Sequence, residues 1–456
     1  MRFRFFTSVV LLICLPLTTW GLTLDDERKA GKEVHLEVLK SFRLNNDPYV
    51  CLYTGSIAKN LEPSANLPWP IKLTVVESTT PNAFATMGGY VYVTTGLIEM
   101  SDREEELAGV LAHELAHVGR RHVTKRMEKE KPLSIAMIAA MLLSVLVPGG
   151  GAVTQALVTS TMAAAQTISL KYSRDDEDEA DRFGLATAEG AGYTGHGIVY
   201  FLKKMRATEY EKTVPQYLLT HPYSEDRAAK IESRVNLSKN TVKTDFFPYV
   251  VVRLKVLDKQ LSPAIEDTWL KKYEKDPKDP VSAYGAALVY SLKGNVTQAV
   301  SVIQNMDSPY RNLFLGEILI RGQRFKEAIE TLRDGSDPVS LYFLALAFEG
   351  SGELPTAAEV LKGLLPNKET FPGIYQKYGM VVGRLGYEAR GFEYLGRYYM
   401  EIGRQEAARS YLEKAIAKYG RNTAEGREAQ VLLEEVIYPK GKPEPKDKNQ
   451  KLLPGP

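Results

Sequence analysis

The sequence predicts an α+β protein: a mainly helical domain with a small sheet, followed by an all-α solenoid of paired helices. Three observations predict this fold class. Apolar residues recur at helical spacing from Leu107 to His122. Tyr and Val alternate from Tyr90 onwards with the period of two that a strand requires. Beyond residue 239, glycines and alanines recur at regular places in successive helical segments.

The composition is that of a globular protein large enough for two or three domains. Of the 456 residues, 44% are hydrophobic and 25% are charged, with a net charge of +2. A charge balance so close to neutral gives no support to nucleic-acid binding. We predict four segments: a signal peptide at 1–21, a first domain at 22–238, a helical repeat domain at 239–438 and a disordered, Pro- and Lys-rich tail at 439–456.

The N-terminus has the pattern of a secretory signal peptide. Arg2 and Arg4 precede an apolar run, Val9 to Leu17, which is too short to span a bilayer, and small or polar residues then reach Gly21. Only Cys51 remains after cleavage, so no internal disulfide is possible. A secreted chain without disulfides fits the periplasm of a Gram-negative bacterium better than the extracellular medium.

The amphipathic helix contains the pattern HExxH, formed by His113, Glu114 and His117. Residues four apart lie about 40° apart around a helix, so both imidazoles can face one metal ion. Glu114 is offset by about 100°, close enough to reach a metal-bound water without being a ligand. Zinc lowers the pKa of that water to about 7, and Glu114 would act as general base in its attack on a peptide carbonyl. His122, about 140° from His117, is not expected to be a ligand.

The alternative interpretation is that His113 and His117 are two ordinary helix histidines. A glutamate between them, on a helix otherwise rich in Leu, Val and Ala, would then be an unpaired charge on a buried face. The chain holds only six histidines, which makes a chance pairing less plausible. The pattern therefore favours one zinc ion per chain.

An acidic helix beyond residue 170 is the predicted source of the third ligand. Glu177 and Asp181 share one face, and Ala180 and Gly184 beside Glu177 are small enough to let this helix pack closely against another. That arrangement would deliver Glu177 to the zinc and place Asp181 to accept a hydrogen bond from a ligating histidine. The other acidic residues are expected to face solvent: Asp175, Asp176, Asp178 and Glu179.

Further elements are predicted around this centre. Helices are expected at Leu22–Leu39, with His35 at the surface, and at Val50–Leu61, followed by a strand at Ile71–Val76. The strand from Tyr90 leads into the metal helix, so it is either an edge that pairs with an extended peptide substrate or an ordinary sheet strand. Residues 132–170 carry no charge and predict either a buried helical hairpin or one that contacts a lipid surface.

The second half contains a degenerate repeat. Gly294, Gly322, Gly352 and Gly403 are each followed by an alanine five or six residues later. A glycine at the turn and an alanine where two helices meet are features of tetratricopeptide (TPR) units, which stack into a concave binding surface. A simple helical bundle is the alternative. The irregular spacing places an irregular helical insert at Asn367–Gly391.

The motifs together resemble one family. HExxH followed by SRxxExEADxxG from Ser173 resembles the zinc metallopeptidases related to the CAAX prenyl protease, metallopeptidase family forty-eight. The segment NAFATMGGYVYVTTGLI from Asn82 is similar to the edge strand of this family, and THPYSEDR from Thr220 matches a further element. The resemblance covers roughly Asp25 to Val235. It implies a zincin-type zinc endopeptidase domain with His113, His117 and Glu177 as ligands.

A signal peptide, a protease domain and helical repeats together resemble the periplasmic branch of this family. The resemblance implies outer-membrane protein quality control or assembly, with protein or peptide substrates. It also implies contact with the outer-membrane β-barrel assembly machinery through the TPR-like domain. His221 is implied to fill the fourth position on zinc at rest, which keeps the enzyme latent; its alternative role is to stabilise the oxyanion of the transition state.

The rival function belongs to another class. The chain would be a chaperone-like TPR scaffold whose metal site is latent or only structural. An intact Glu114 argues against a structural site, because such a site has no use for a general base. We therefore expect a zinc metalloendopeptidase, with Glu114, Asp181 and His221 as its catalytic residues.

Overall fold

A computed structural model describes residues 22–129, 172–209, 216–236, 245–257 and 261–438. Within these ranges an α+β region precedes a region of helices only, which confirms the predicted fold class. The predicted signal peptide, the uncharged stretch at 132–170 and the tail at 439–456 lie outside the described residues. Among the helices of the described ranges, none is both long enough and apolar enough to cross a membrane.

The helices of the first region confirm the two predicted at its start. In chain order they are α1 (Leu24–Ser41), α2 (Pro48–Ala65), α3 (Thr95–Met100), α4 (Glu104–Gly119), α5 (His122–Lys129), α6 (Arg174–Gly190), α7 (His196–Glu209), α8 (Gln216–Thr220) and α9 (Glu225–Arg234). Side-chain caps fix several starts. Asp47 caps α2 by accepting from the backbone N–H groups of Tyr49 and Val50. Ser173 and Asp176 form a capping box at the start of α6.

The sheet has three strands, β1 (Lys72–Val76), β2 (Ala83–Ala85) and β3 (Tyr90–Thr94), in the order β1-β3-β2. The strands predicted at 71–76 and from Tyr90 are confirmed. Of the two interpretations of the strand from Tyr90, the ordinary sheet strand is confirmed and the edge is wrong, because β3 pairs in parallel with β1 and antiparallel with β2. Gly88 and Gly89, with φ of 76° and 87°, reverse the chain after β2, so that β3 runs back beside β2. The edge strands of this sheet are therefore β1 and β2.

His35 on α1 is buried, contrary to the expected surface position. Its ring stacks on Tyr90 at 4.5 Å between centroids, and its Nδ1 lies within hydrogen-bond distance, 2.8 Å, of the Tyr92 hydroxyl. The sequence hid this position because α1 is polar on its other faces, and only its packing against β3 buries the imidazole.

The HExxH helix is shorter than predicted. Its apolar face is fully buried, as expected, but α4 ends at Gly119 and not at His122. Arg121 has a φ of 57°, a left-handed conformation that breaks the helix. Its guanidinium is paired with Glu27 and donates a 2.8 Å hydrogen bond to the Leu22 carbonyl. A new helix then starts at His122, in a direction that the sequence does not indicate.

Two helices approach α4 so closely that only glycine fits at the contact. A Cβ atom on Gly184 of α6 would lie 2.9 Å from the Cα of His113, and one on Gly197 of α7 would lie 1.9 Å from the carbonyl oxygen of Glu105. Real Cβ atoms do not approach backbone atoms so closely. The predicted close packing of the small residues beside Glu177 is thus confirmed.

The second region consists of helix pairs. Its helices are α10 (Phe247–Leu257), α11 (Pro263–Lys275), α12 (Pro280–Leu292), α13 (Val296–Gln304), α14 (Arg311–Arg321), α15 (Phe325–Leu332), α16 (Pro338–Ser351), α17 (Leu354–Leu364), α18 (Gly373–Arg384), α19 (Glu388–Glu401), α20 (Gln405–Tyr419) and α21 (Ala424–Ile437). Gly294, Gly352 and Gly403 lie at turns with positive φ. The predicted contact alanines are completely buried: Ala299, Ala328, Ala357 and Ala408.

The irregular insert expected at 367–391 is wrong. Residues Gly373–Arg384 form the regular helix α18, and Gly386, with φ of 92°, turns the chain into α19. A Cβ on Gly379 would lie 3.0 Å from the carbonyl oxygen of Gly391, so this pair packs by glycine contacts. The repeat pattern did not indicate this pair, because glycines take the place of the contact alanine.

Ion pairs that are buried or half-buried join the two regions. Arg253 of α10 donates to Asp47 at 2.6 Å and to Glu317 of α14 at 2.8 Å, and its guanidinium lies 4.1 Å from the ring centroid of Tyr49. Lys72 of β1 pairs with Glu401 of α19 at 2.5 Å. The boundary at residues 238 and 239 stays a prediction, since α10 contacts both regions.

Substituting Gly184 with alanine tests the contact between α4 and α6. We expect Gly184→Ala to lower the free energy of unfolding by about 1–3 kcal/mol, because the added methyl group overpacks a backbone contact. Urea denaturation measures this change. Gly363→Ala is the matched control, since a Cβ there meets nothing within 4 Å; it should be neutral or stabilise by up to about 1 kcal/mol. Equal effects of the two substitutions would contradict the packing argument.

Candidate metal centre

Four buried side chains from separate elements converge in the first region. His113 and His117 lie on α4, Glu177 lies on α6, and His221 follows α8. One ligand atom from each lies within 4.8 Å of the others. The structure thus brings the three predicted ligands together and adds His221 to them.

The separations fit a tetrahedral metal site. Nε2 of His113 lies 3.1 Å from Nε2 of His117 and 3.2 Å from Nδ1 of His221. Oε1 of Glu177 lies 3.0 Å from Nδ1 of His221 and 3.5 Å from Nε2 of His117. Zinc bonds of about 2.0–2.1 Å place tetrahedral ligands about 3.3–3.4 Å apart. The donor atoms therefore already surround a volume of the size that zinc requires.

The protonation states suit metal ligands. Burial lowers the pKa of His117 well below its ordinary value, which favours the neutral imidazole that binds metal. Burial alone would raise the pKa of Glu177, but His221 and Arg227 hold it well below the usual range, as a carboxylate. Neutral imidazoles have a single N–H donor each, so ring nitrogens that face one another cannot all be satisfied by hydrogen bonds. A cation among them satisfies every one.

Glu114 lies beside the four-residue cluster without being part of it. Its side chain is fully buried, and neither oxygen has a hydrogen-bond partner among the described residues. Oε1 lies 3.4 Å from Nε2 of His221. Burial raises the pKa of Glu114, although the imidazoles of His221 and His113 act in the opposite direction. Such a carboxylate has the basicity and the position of a general base.

Asp181 and Arg227 support the ligands. Oδ1 of Asp181 lies 3.1 Å from Nδ1 of His113, on the side of the ring away from the cluster. Burial would raise the pKa of Asp181, but Arg227 lowers it to about 2 by donating to both carboxylate oxygens at 2.7 Å. Arg227 also pairs with Oε2 of Glu177 at 2.6 Å, which leaves Oε1 directed at the cluster. The role of Arg227 was not predicted from the sequence, because a motif does not show which carboxylates an arginine contacts.

His221 lies where a fourth ligand would lie. Its ring stacks on Tyr217 at 4.5 Å, with Nδ1 towards the cluster and Nε2 towards Glu114. Burial acts to lower its pKa, but the carboxylates of Glu114 and Glu177 raise it above the ordinary value. Its two predicted roles, latch and oxyanion donor, stay predictions.

Tyr172 is a neighbour that the sequence analysis missed. Its ring stacks on His117 at 3.9 Å, and its backbone N–H donates to the Thr220 carbonyl at 3.2 Å. The residue also lines a cavity of about 410 Å³ that reaches Glu177. Other residues along this cavity are charged or aromatic: Arg174, Asp178, Tyr223, Arg227 and Lys230.

Glu179 was expected to face solvent, and this expectation is wrong because its carboxylate contacts two other side chains. Its carboxylate accepts from Nε of Arg120 at 2.8 Å, and Oε2 lies 2.9 Å from Nε2 of His122. His122 is outside the four-residue cluster, as expected, but its Nδ1 lies 2.9 Å from Nδ1 of His117. The helix break at Arg121 explains both contacts.

Comparison with known proteins agrees with this geometry. Residues 53–235 match the profile of Peptidase family M48. They form a peptidase family M48 domain. The four converging side chains and Glu114 all lie inside the matched residues. This is a metallopeptidase domain, as the sequence predicted.

Similarity to individual relatives extends beyond this domain. Beta-barrel assembly-enhancing protease of Escherichia coli is 28% identical over 371 residues, which are 77% of this chain and 74% of the relative. A Vibrio cholerae protein, provisionally given the same name, is 33% identical over 282 residues, 59% of this chain. Mitochondrial metalloendopeptidase OMA1 of Schizosaccharomyces pombe is 29% identical over 219 residues, 46% of this chain and 61% of its own. The match spans 57% of the V. cholerae relative.

Removing Arg227 should destabilise the centre more than removing any surface arginine. We expect Arg227→Met to lower the free energy of unfolding in EDTA by about 3–5 kcal/mol, because two buried carboxylates lose their shared counter-ion. Arg234→Met is the control: Arg234 pairs with Asp178 at 3.1 Å on the surface, and its loss should cost less than about 1 kcal/mol. Urea denaturation of the metal-free proteins measures both, and a small effect at Arg227 would contradict its role.

Proposed function

We propose that this protein is a zinc-dependent endopeptidase of the periplasm of a Gram-negative bacterium. The observation that carries the proposal is the buried cluster of His113, His117 and Glu177, whose donor atoms have tetrahedral spacing, with Glu114 beside it. The donor set of two imidazoles and one carboxylate suits zinc and leaves one position for the reaction.

The chemistry follows from the buried residues. Zinc held by His113, His117 and Glu177 would supply Lewis acidity there, which would polarise a peptide carbonyl and make water a better nucleophile. Glu114 accepts the proton of the attacking water at a carboxylate oxygen and returns it to the leaving amine. Burial suits Glu114 to this role, because it raises the pKa of the carboxyl towards the working pH. Asp181 holds the ring of His113, and Arg227 holds the carboxylates of Asp181 and Glu177.

The resting enzyme is proposed to be latent. Nδ1 of His221 would take the fourth ligand position, and Nε2 faces the oxygen of Glu114 to which a water must bind. No substrate carbonyl could approach zinc until His221 moves. The short turn after α8 carries this residue, so a shift of that turn would open the site without unfolding α4 or α6.

The substrate class and the partners rest on the relatives and on the chain's organisation. Relatives named beta-barrel assembly-enhancing protease support a role in outer-membrane protein quality control or assembly. The predicted signal peptide supports the periplasm, and the paired helices described between residues 247 and 437 support TPR-like binding of a protein client or of the β-barrel assembly machinery. Peripheral membrane contact through 132–170 completes the proposal.

Two substitutions separate metal binding from catalysis. Purified wild type should hold about one zinc per chain, and Glu177→Ala should lose most of it. Glu114→Gln should keep the zinc, because Glu114 is not a ligand, yet lower cleavage of an unfolded protein such as casein by about 10²–10⁴-fold. Metal analysis and a cleavage assay measure the two effects.

The same variants distinguish the rival function. If the protein is a chaperone-like scaffold, Glu114→Gln should fully restore the wild-type phenotype when it is expressed in a deletion strain, since only the paired helices would then act. Full zinc in Glu177→Ala would keep the enzyme but show that another residue is the third ligand.

Truncating His221 tests latency. If His221 closes the site, His221→Ala should keep its zinc and raise cleavage by about tenfold or more, which corresponds to about 1.4 kcal/mol. If it stabilises the oxyanion instead, cleavage should fall by about 10²–10³-fold. His196→Ala is the matched control, because His196 starts α7 away from the cluster. A high rate of casein cleavage by the wild type would contradict latency.

A further inference from the structure

His122 lies against the outer side of a metal-ligand ring, although it starts a different helix. The left-handed conformation of Arg121 ends α4 and folds α5 back, which places Nδ1 of His122 2.9 Å from Nδ1 of His117. Nε2 of His122 lies 2.9 Å from Oε2 of Glu179 on α6. His122 is 2% exposed, so water does not satisfy its ring nitrogens.

Hydrogen-bond chemistry gives this chain of groups one direction. His117 faces the cluster with Nε2, and a metal-binding nitrogen carries no proton, so its proton is on Nδ1. Nδ1 of His117 therefore donates, and Nδ1 of His122 accepts. An imidazole that accepts at Nδ1 carries its proton on Nε2, so Nε2 of His122 donates a hydrogen bond to the carboxylate of Glu179.

Glu179 is itself held in place. Oε1 accepts from Nε of Arg120 at 2.8 Å, and Oε2 accepts a hydrogen bond from Nε2 of His122. A carboxylate anchored by an arginine thus supports His117, as the Arg227-bound carboxylate of Asp181 supports His113. The difference is that a second imidazole is inserted on the His117 side.

We propose that His122 is a positioning residue, which fixes the ring orientation and the Nδ1–H tautomer of His117, and that Glu179 fixes the tautomer of His122. This inference rests on the metal centre of the proposed function. The outer partners of a ligating histidine keep its lone pair on the metal side, and their loss typically lowers metal affinity by about 10–100-fold. This relay of two hydrogen bonds, from His117 to His122 and from His122 to Glu179, forms only because α4 ends before His122. A histidine that continued α4 would point away from His117.

Three variants test the relay through zinc affinity, measured by competition with a fluorescent zinc chelator. His122→Phe keeps the ring but removes both nitrogens, and we expect its affinity to fall by about 10–100-fold. His122→Asn should stay close to wild type, because its amide oxygen can replace Nδ1 as acceptor. His35→Phe is the matched control, since His35 is equally buried but contacts β3 instead of the cluster. It should bind zinc as the wild type does.

The tautomer gives a second readout that needs no variant. In the zinc-bound wild type, ¹⁵N NMR of the imidazoles should show His122 protonated at Nε2 and His117 protonated at Nδ1. A His122 protonated at Nδ1 would overturn the relay even if His122→Phe failed to fold. Unchanged affinity in a folded His122→Phe would overturn it too, while the proposed function would stand. A wild type that binds no zinc would overturn both.

Discussion

The whole centre depends on how closely α6 approaches α4. Gly184 rests against the backbone of His113, and this contact sets the distance at which Glu177 reaches the two histidines one helix away. The contact also brings Asp181 to the outer side of His113. Glu177 and Asp181 thereby join Glu114 in a buried volume, and Arg227 neutralises the two carboxylates that α6 brings there. Packing comes first, and the electrostatics of the site follow from it.

Features that repeat along one helix were readable from the sequence. The spacing of His113 and His117, the small residues beside Glu177 and the alanines buried between paired helices all depend on helix geometry alone. The α+β class followed from the same periodicities. The strand order could not be predicted from the sequence, because β2 is three residues long and nothing in its composition shows that it pairs with one side of β3.

The parts that the sequence could not supply depend on distant residues. Arg121 ends α4 through contacts with Leu22 and Glu27, about a hundred positions earlier, and only that break brings His122 to His117. Arg227 contacts Asp181, which lies 46 residues earlier in the sequence, and the motif that contains Arg227 does not indicate this contact. Burial of Tyr172 against His117 likewise requires that α4 and the segment leading into α6 already be packed together.

The buried contact of Arg253 with Asp47 and Glu317 bears on how the molecule unfolds. Asp47 is both the cap of α2 and a partner of this arginine, and Glu317 is 1% exposed in α14. Separating the two regions would remove the cation that pairs with Asp47 and the contact of the Arg253 guanidinium with Tyr49, although Arg253 and Glu317 would stay paired within the second region. The peptidase region and the first helix pairs should therefore melt in one cooperative transition. A chain cut at the apparent boundary would lose part of what stabilises the peptidase region itself.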